Sequence, residues 1–352
     1  MSKERIMSKV FFFPISSYQS TAEINEGSKK ILEHLINEEK IELPSYVPLK
    51  VHFGEKKNQT FIKSENYLGV IEYLHAKDID SAYIESNALY NGERQNRTSH
   101  IQLAQRHGFT QLPIVIADGE YGDEFEIVKI NGTHFDSCFI AKAIADLNHM
   151  IVLSHFKGHL LAGFGGAIKQ LAMGCGSRGG KLAQHSNAIP KIKAKKCESC
   201  GDCLETCPAG AIILEPSPMI DEDKCIGCAS CMSVCKQNAV TITWWASVSK
   251  KFREKIAEYA LAAQKDKEII YLNFVLNITR GCDCEAHKMK PIVPDVGILA
   301  SVDPVGIDAA SLDLTQKMKG RKIFNRGRRA LDHAEKLNLG TSHYELVDLK
   351  VA

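Results

Sequence analysis

Eight of the twelve cysteines fall between Cys197 and Cys235, and their spacing constrains this chain more than any other feature. The run Cys197-x2-Cys200-x2-Cys203-x3-Cys207-Pro208 returns 28 residues later as Cys225-x2-Cys228-x2-Cys231-x3-Cys235. The repeat extends past the thiols, because CPAGAIIL at 207–214 aligns with CKQNAVTI at 235–242. Two similar halves predict a pseudo-two-fold module. Three cysteines at two-residue spacing wrap one loop around three irons of a cubane, and in two-cluster ferredoxins the fourth thiolate comes from the other half. Cys197, Cys200, Cys203 and Cys235 are therefore assigned to one 4Fe-4S cluster, and Cys225, Cys228, Cys231 and Cys207 to a second. Zinc also binds Cys-x2-Cys pairs, but has no use for two such spacings in succession and then a longer one, twice over. Gly201, Gly227 and Ala229 suit backbone N–H groups that turn toward sulfur. Lys236 stands where a second proline is expected, either as a cation favouring a reduced cluster or as a solvent-facing lysine.

The rest of the chain is ordinary for a globular protein: 352 residues, 44% hydrophobic and 24% charged. A formal net charge of +2 gives no global reason to bind nucleic acid or an anionic membrane. The N-terminus lacks a signal-peptide apolar region, and segments such as 269–278 are too short for a membrane span. A cytoplasmic protein is expected, in which thiols stay reduced and clustered cysteines hold metal.

Before the cysteine run, apolar periodicity predicts strands at 9–14, 49–53, 81–85, 113–117 and 150–154, with helices at 26–40, 66–76, 99–106 and 137–146. After it, helices are predicted at 251–264, 304–319 and 326–337, and strands at 268–274, 296–301 and 344–349. The pattern is an α/β domain with a largely parallel sheet. Few strands follow the run, too few for an independent sheet. The preferred organisation is a discontinuous α/β domain, residues 1–190 plus 246–352, with an inserted α+β two-cluster ferredoxin-like domain at 191–245. The basic segment KIKAKK at 191–196 reads as an entry linker.

Two further stretches carry candidate chemistry. From Ser154 to His185, His155, Lys157, His159, Lys169, Arg178, Lys181 and His185 lie among many glycines. A helix beginning near Gly165 would aim its positive end at an anion, with Gly163, Gly165 and Gly166 allowing close approach and Lys169, Arg178 and Lys181 supplying charge. The alternative is that the glycines serve tight turns and the cations are solvated. Neither a dinucleotide fingerprint nor a P-loop fits the spacing. The second stretch, Arg280-Gly281-Cys282-Asp283-Cys284-Glu285, offers a Cys-x-Cys pair that, with its neighbouring carboxylates and His287, would ligate a further metal, or would act as a redox thiol or simply pack. Cys138 and Cys175 read as buried small residues. Asp303-Pro304 reads as a helix cap with a first-turn proline. The basic run from Lys317 to Arg329 is a solvated face or a docking site for an acidic redox partner protein.

Taken in order, VHFGE at 51–55, SHFKGH, GFGGAIKQLAMGC, the eight-cysteine run, TRGCDC and PIVPDVGILASVDPVGIDAA resemble the uncharacterised iron-sulfur centre proteins. In these a ferredoxin module sits inside an α/β domain of unknown function. The resemblance implies the insertion and the two clusters, and places the Lys157/His159 stretch, the Cys282/Cys284 pair and Asp303-Pro304 in one site.

Three functions follow as expectations. The first is an oxidoreductase that passes electrons from two 4Fe-4S clusters to a small anionic substrate or cofactor, with His155, Lys157 and His159 handling protons or binding the anion. The second is an electron carrier or adaptor without catalysis of its own. The third is a metal-handling or cofactor-assembly protein that uses Cys282, Cys284 and the nearby carboxylates.

Overall fold

The computed structural model describes residues 7–350, apart from 91, 186–188, 208, 226 and 242–250. Pro208, Ile242 of the aligned repeat and the expected boundary at 245–246 lie outside the described residues. The chain opens with β1 (Ser8–Pro14) and α1 (Thr21–Glu39), followed by β2 (Leu49–Lys50), α2 (Leu68–His75), β3 (Tyr83–Glu85), α3 (Arg97–Arg106) and β4 (Ile114–Ile116). A hairpin of β5 (Phe125–Lys129) and β6 (Ser137–Ala141) leads through the short α4 (Lys142–Ala145) to β7 (His149–His155). A second hairpin, β8 (Lys157–His159) and β9 (Gly163–Gly165), precedes α5 (Ala167–Cys175) and α6 (Arg178–His185). The cysteine-rich segment holds β10 (Lys191–Ile192), α7 (Asp202–Glu205), β11 (Ile212–Ile213), β12 (Met219–Ile220), α8 (Ser230–Val234) and β13 (Val240–Thr241). The chain ends with α9 (Lys251–Gln264), β14 (Glu268–Val275), β15 (Gly297–Ser301), α10 (Pro304–Lys319), α11 (Arg328–Lys336) and β16 (Tyr344–Asp348).

Eight of these strands make one sheet in the order β16-β1-β15-β14-β7-β2-β3-β4. Every neighbouring pair is parallel except the two that β15 makes with β1 and β14. β14, which follows the cysteine segment, runs beside β7, which precedes it, in register from Glu268–His149 to Phe274–His155. Both stretches of chain therefore build the same sheet.

Strand alternation sends side chains to opposite faces. Phe11 and Phe13 of β1, with Ile151 and Leu153 of β7, pack against Ile31, Leu35, Val70 and Leu74 of α1 and α2. Val10, Phe12, Met150 and Val152 face Ile168 and Leu171 of α5, Ile256 of α9 and Ile307 of α10 on the other side. Each such fully buried side chain stabilises the fold by about 1.5–3 kcal/mol. Cys138 and Cys175 lie in this second core. The cap at α10 is present: Asp303 accepts from the N–H groups of Val305 at 2.8 Å and Gly306 at 3.0 Å, and Pro304 fills the first turn.

Residues 137–146 correct the sequence expectation. Ser137-Cys-Phe-Ile-Ala is strand β6, paired antiparallel with β5, and only four residues after it are helical. Its alanines favour helix locally, but Cys138 and Ile140 alternate into the core once the hairpin partner is present. The KIKAKK segment is likewise no free linker, because Lys191 and Ile192 pair with Thr241 and Val240.

Inside the module the repeat is visible in the backbone. Ser199 and Gly227, Gly201 and Ala229, and Gly210 and Asn238 are pairs 28 residues apart, and all six have positive φ. The module has its own small core, including Ile212, Ile220 and Val240. It abuts α6 closely enough that a side-chain carbon on Gly179 would lie 2.5 Å from the Cys228 Cα. Ala229 and Met232 pack there against Leu89 and Leu182. Among the described residues no helix is long and apolar enough to cross a membrane.

Because β10 and β13 pair side by side, the module enters and leaves at adjacent points. Replacing 191–241 by a short Gly-Ser linker is expected to leave a cooperative thermal transition with native-like circular dichroism, at a cost of about 1.5–3 kcal/mol for each of Leu89 and Leu182 exposed. Loss of cooperativity would contradict a sheet built without the module.

Candidate functional site

The parallel strands β2, β3, β7 and β14 end at one edge of the sheet, where α/β proteins hold their ligands. A cavity of about 410 Å³ opens there. His52 stands just beyond β2, and Glu85 and Ser86 close the end of β3. Lys169 and Gln170 project from α5, Lys181 and His185 from α6, and Leu89, Tyr90 and Arg94 from the loop after β3; His159 and Cys284 complete the wall. Cations outnumber the carboxylates, which already have partners. Glu85 pairs with buried Lys50 at 2.9 Å, and Arg94 bridges to Glu55 at 3.2 Å. Lys181 Nζ donates to the Ser86 hydroxyl at 2.5 Å and the Gly176 carbonyl at 2.8 Å, while burial brings its pKa down to about 8. A pocket of this size in which cations outnumber carboxylates suits a small anion.

Beneath the cavity lies Asp283, fully buried between the two cysteines of the Cys-x-Cys loop. Its carboxylate meets Lys157 Nζ at 2.9 Å and His155 Nδ1 at 3.0 Å. Burial opposes its charge, but His155 and Lys157 outweigh that and hold its pKa well below the usual carboxylate range. Burial likewise opposes the charge on Lys157, yet Asp283 and the Cys282 sulfur raise its pKa. His155 Nε2 faces the Leu276 carbonyl at 2.9 Å. His155 and Lys157 therefore anchor the loop, and of the three expected catalytic residues His159 alone lines the cavity.

Cys282, Cys284 and His159 each bring a ligand atom within 4.8 Å of one another. The Cys284 thiol donates to the Cys282 sulfur, and with Lys169 and Lys157 this holds Cys282 well below the ordinary thiol pKa, against the opposing effect of burial. The same hydrogen bond, reinforced by burial, raises Cys284 well above it. Lys169 Nζ lies 3.6 Å from Cys282 Sγ. His159 Nδ1 accepts the N–H groups of Leu161 at 3.3 Å and Ala162 at 3.0 Å, so its neutral ring carries the proton on Nε2. Burial takes its pKa down to about 3. A metal at Nε2 would need that proton moved to Nδ1, facing two donors. A second group of metal-capable side chains, His134, Glu258 and His333, is committed elsewhere. Glu258 accepts from the N–H groups of Thr133, His134 and Phe135 and meets His333 at 3.0 Å, which pins the β5–β6 turn to α9.

The glycine stretch does something other than cradle an external anion at α5. Asp308 of α10 accepts from the N–H groups of Ala167 at 2.7 Å and Ile168 at 3.0 Å, so the helix start already has a carboxylate. A side-chain carbon on Gly166 would sit 2.2 Å from that carboxylate. Burial raises Asp308 to about 6. Gly163 and Gly165 form the β8–β9 hairpin, opposite His159 and Lys157. Arg178 is buried away from the cavity, donating to the carbonyls of Gln95 at 3.0 Å and Leu89 at 3.2 Å. It fixes the loop that carries Leu89, Tyr90 and Arg94.

In the module, Cys197, Cys200, Cys203 and Cys235 line one small cavity with Ile192, Leu214 and Val240. Cys207, Cys225, Cys228 and Cys231 line another with Ile212 and Ile220. Backbone N–H groups reach sulfur at matched places, Ala211 to Cys207 at 3.3 Å and Ala239 to Cys235 at 3.2 Å. Four converging thiols, apolar walls and N–H donors fit an iron-sulfur cubane at each place. Cys200 is exposed, Cys203, Cys228 and Cys231 are buried, and Cys228 lies against Gly179 of the main domain. Lys236 points to solvent and pairs with Asp202 at 3.1 Å.

Residues 47–313 match the family model described as a domain of unknown function, DUF362. The chain belongs to the DUF362 family. The DUF362 match takes in every cavity residue named above, the whole cysteine run and Asp308. No curated protein matches the sequence. Among solved structures, a crystal structure of a protein from Thermotoga maritima is similar with a TM-score of 0.45 at 8% identity, over 90% of this chain and 59% of that one. Lactate racemase apoprotein from Thermoanaerobacterium thermosaccharolyticum is similar with a TM-score of 0.39 at 13% identity, over 78% of this chain and 52% of that one. This DUF362 chain thus spans a little over half the length of either.

His52, Glu85, Tyr90 and Arg94 were not among the candidates read from the sequence, and Asp283 entered there only as a carboxylate beside the Cys-x-Cys pair. His52 lies within VHFGE and Asp283 within TRGCDC, so the shared motifs carried a signal for those two.

Asp283→Asn is expected to destabilise the fold by about 3–5 kcal/mol, because Lys157 and His155 lose the buried charge between them. Asp283, lowered in the fold, contributes stability above its unfolded pKa, and this is lost as pH falls through the folded value. Lys157, raised in the fold, contributes stability below its unfolded pKa, and this is lost as pH rises through the folded value. Stability curves from chemical denaturation should therefore show a plateau between about pH 4 and 10 that the variant lacks.

Proposed function

We propose that this protein is an iron-sulfur oxidoreductase that passes electrons from two 4Fe-4S clusters to a small anionic molecule in the cavity. The observation that carries this reading is the seating of the inner cysteine set: Ala229, next to Cys228, packs on Leu89, and Leu89 lines the cavity. The clusters supply one-electron steps. The set with exposed Cys200 would receive electrons from a redox partner protein, and the set whose Cys228 lies against α6 would pass them on. Lys169, Lys181 and Arg94 would hold the anion's charge. His159 Nε2–H is a donor aimed from a neutral ring, suited to orient an acceptor atom or deliver a proton. The residues inherited from the sequence reading divide accordingly: Lys169, Lys181 and His159 bind, while His155, Lys157, Arg178 and the glycines position.

Protein purified without oxygen is expected to contain about eight irons per chain, falling to about half in Cys231→Ser. Native mass spectrometry of the same preparation should find a small anion that Lys169→Ala releases. An iron-free protein, or a cavity ligand untouched by loss of Lys169, would contradict the proposal.

A further inference from the structure

Cys282 and Cys284 occupy one tight turn, closed by the Glu285 N–H on the Cys282 carbonyl at 2.9 Å. The turn is held from both sides. Asn58 Nδ2 donates to the Glu285 carbonyl at 3.0 Å, and the Tyr90 hydroxyl donates to the Cys284 carbonyl at 3.1 Å. Arg94 in turn donates to the Tyr90 oxygen at 2.6 Å. Both sulfurs sit within 4.8 Å of each other, with a cation, Lys169, beside the deeper one and the cavity beside the shallower. Two features argue for thiol chemistry over a metal at this place. Lys157 and Lys169 already supply positive charge to a lone thiolate, and His159 presents a proton where a ligand lone pair is needed. The pair also has a continuous connection to the inner cysteine set: Ala229 touches Leu89, one peptide bond leads to Tyr90, and the Tyr90 hydroxyl bonds Cys284.

We infer that Cys282 and Cys284 alternate between a dithiol and an intramolecular disulfide, and that the two electrons for its reduction arrive one from each cysteine-held cluster. The inference rests on the two-cluster reading above and names where its electrons stop. Reduction breaks the Sγ–Sγ bond and consumes two electrons and one proton, leaving Cys282 as thiolate and Cys284 as thiol. Oxidation by a small organic disulfide forms the Sγ–Sγ bond, releases that proton and converts the reagent into two thiolates. The pair thereby turns two single-electron arrivals into one two-electron store at the wall of the cavity.

Trypsin isolates both residues in one peptide, Gly281–Lys288, with no other cysteine. Cluster-loaded protein prepared without oxygen is treated with hydroxyethyl disulfide and then alkylated. The peptide is expected without alkyl groups and two hydrogens lighter than its dithiol form. Dithionite should restore two alkylation sites rapidly in the wild type, and severalfold more slowly in Cys231→Ser. Leu89→Ala, which keeps all eight cluster cysteines, should slow the return while leaving cluster absorbance unchanged. Persistent double alkylation after oxidant, alkylation blocked until a chelator is added, or equal return rates in wild type and both variants would overturn the inference. Clusters that bleach with dithionite while the disulfide persists sink this inference alone. A wild type without cluster absorbance sinks the two-cluster reading instead, with disulfide formation still scored by the oxidant arm.

Discussion

The buried carboxylate of Asp283 joins the parts of this molecule that make a site. It sits on a loop that follows β14, and its partners sit at the end of β7 and in β8, strands that precede the cysteine module in sequence. An ion in such a place is costly to desolvate, and it is stable only because the Lys157 ammonium and the His155 ring share it. The same pairing fixes the position of both flanking cysteines, so their relation to Lys169 and to the cavity is inherited from the Asp283 contacts. With Asp283 in place, Lys157 is drawn beneath the cavity floor, and Lys169, Lys181 and Arg94 remain at its wall.

A similar economy governs the seating of the module. Its two ends meet as a short antiparallel pair, so its insertion makes little demand on the sheet. What orients it is a close approach at Gly179 and a small apolar cluster around Leu89, whose loop is tied down by Arg178. Arg178 is fully buried, and burial brings its pKa down to about 10, leaving it charged near neutrality. It works as a strut holding the connection between the inner cysteines and the cavity.

The strand and helix alternation was legible because each element carries its own period, and the Asp303 cap was legible because capping is local. Residues 137–146 were not, since the alanines there favour helix and the β5 partner that makes Cys138 and Ile140 alternate inward is invisible to local pattern. The glycines from 158 to 180 suggested an anion cradle for the same reason. Asp308, which fills the start of α5, lies some 140 residues further on. His52, Glu85 and Arg94 converge only because parallel strands end together, a fact of topology. The cysteine run was the opposite case: its repeat is local, and the folded chain gathers the eight thiols in two sets of four, each with one cysteine from the other half, around two small cavities.

The central claim is that these two sets hold iron, and that the Cys282/Cys284 pair does not hold a metal of its own. Anomalous difference maps collected on both sides of the iron edge, from crystals grown without oxygen, test it most directly. The account predicts two compact iron peaks, one among Cys197, Cys200, Cys203 and Cys235 and one among Cys207, Cys225, Cys228 and Cys231, with none beside Cys282. Peaks appearing only at the zinc edge, or a metal bound between His159, Cys282 and Cys284, would contradict it.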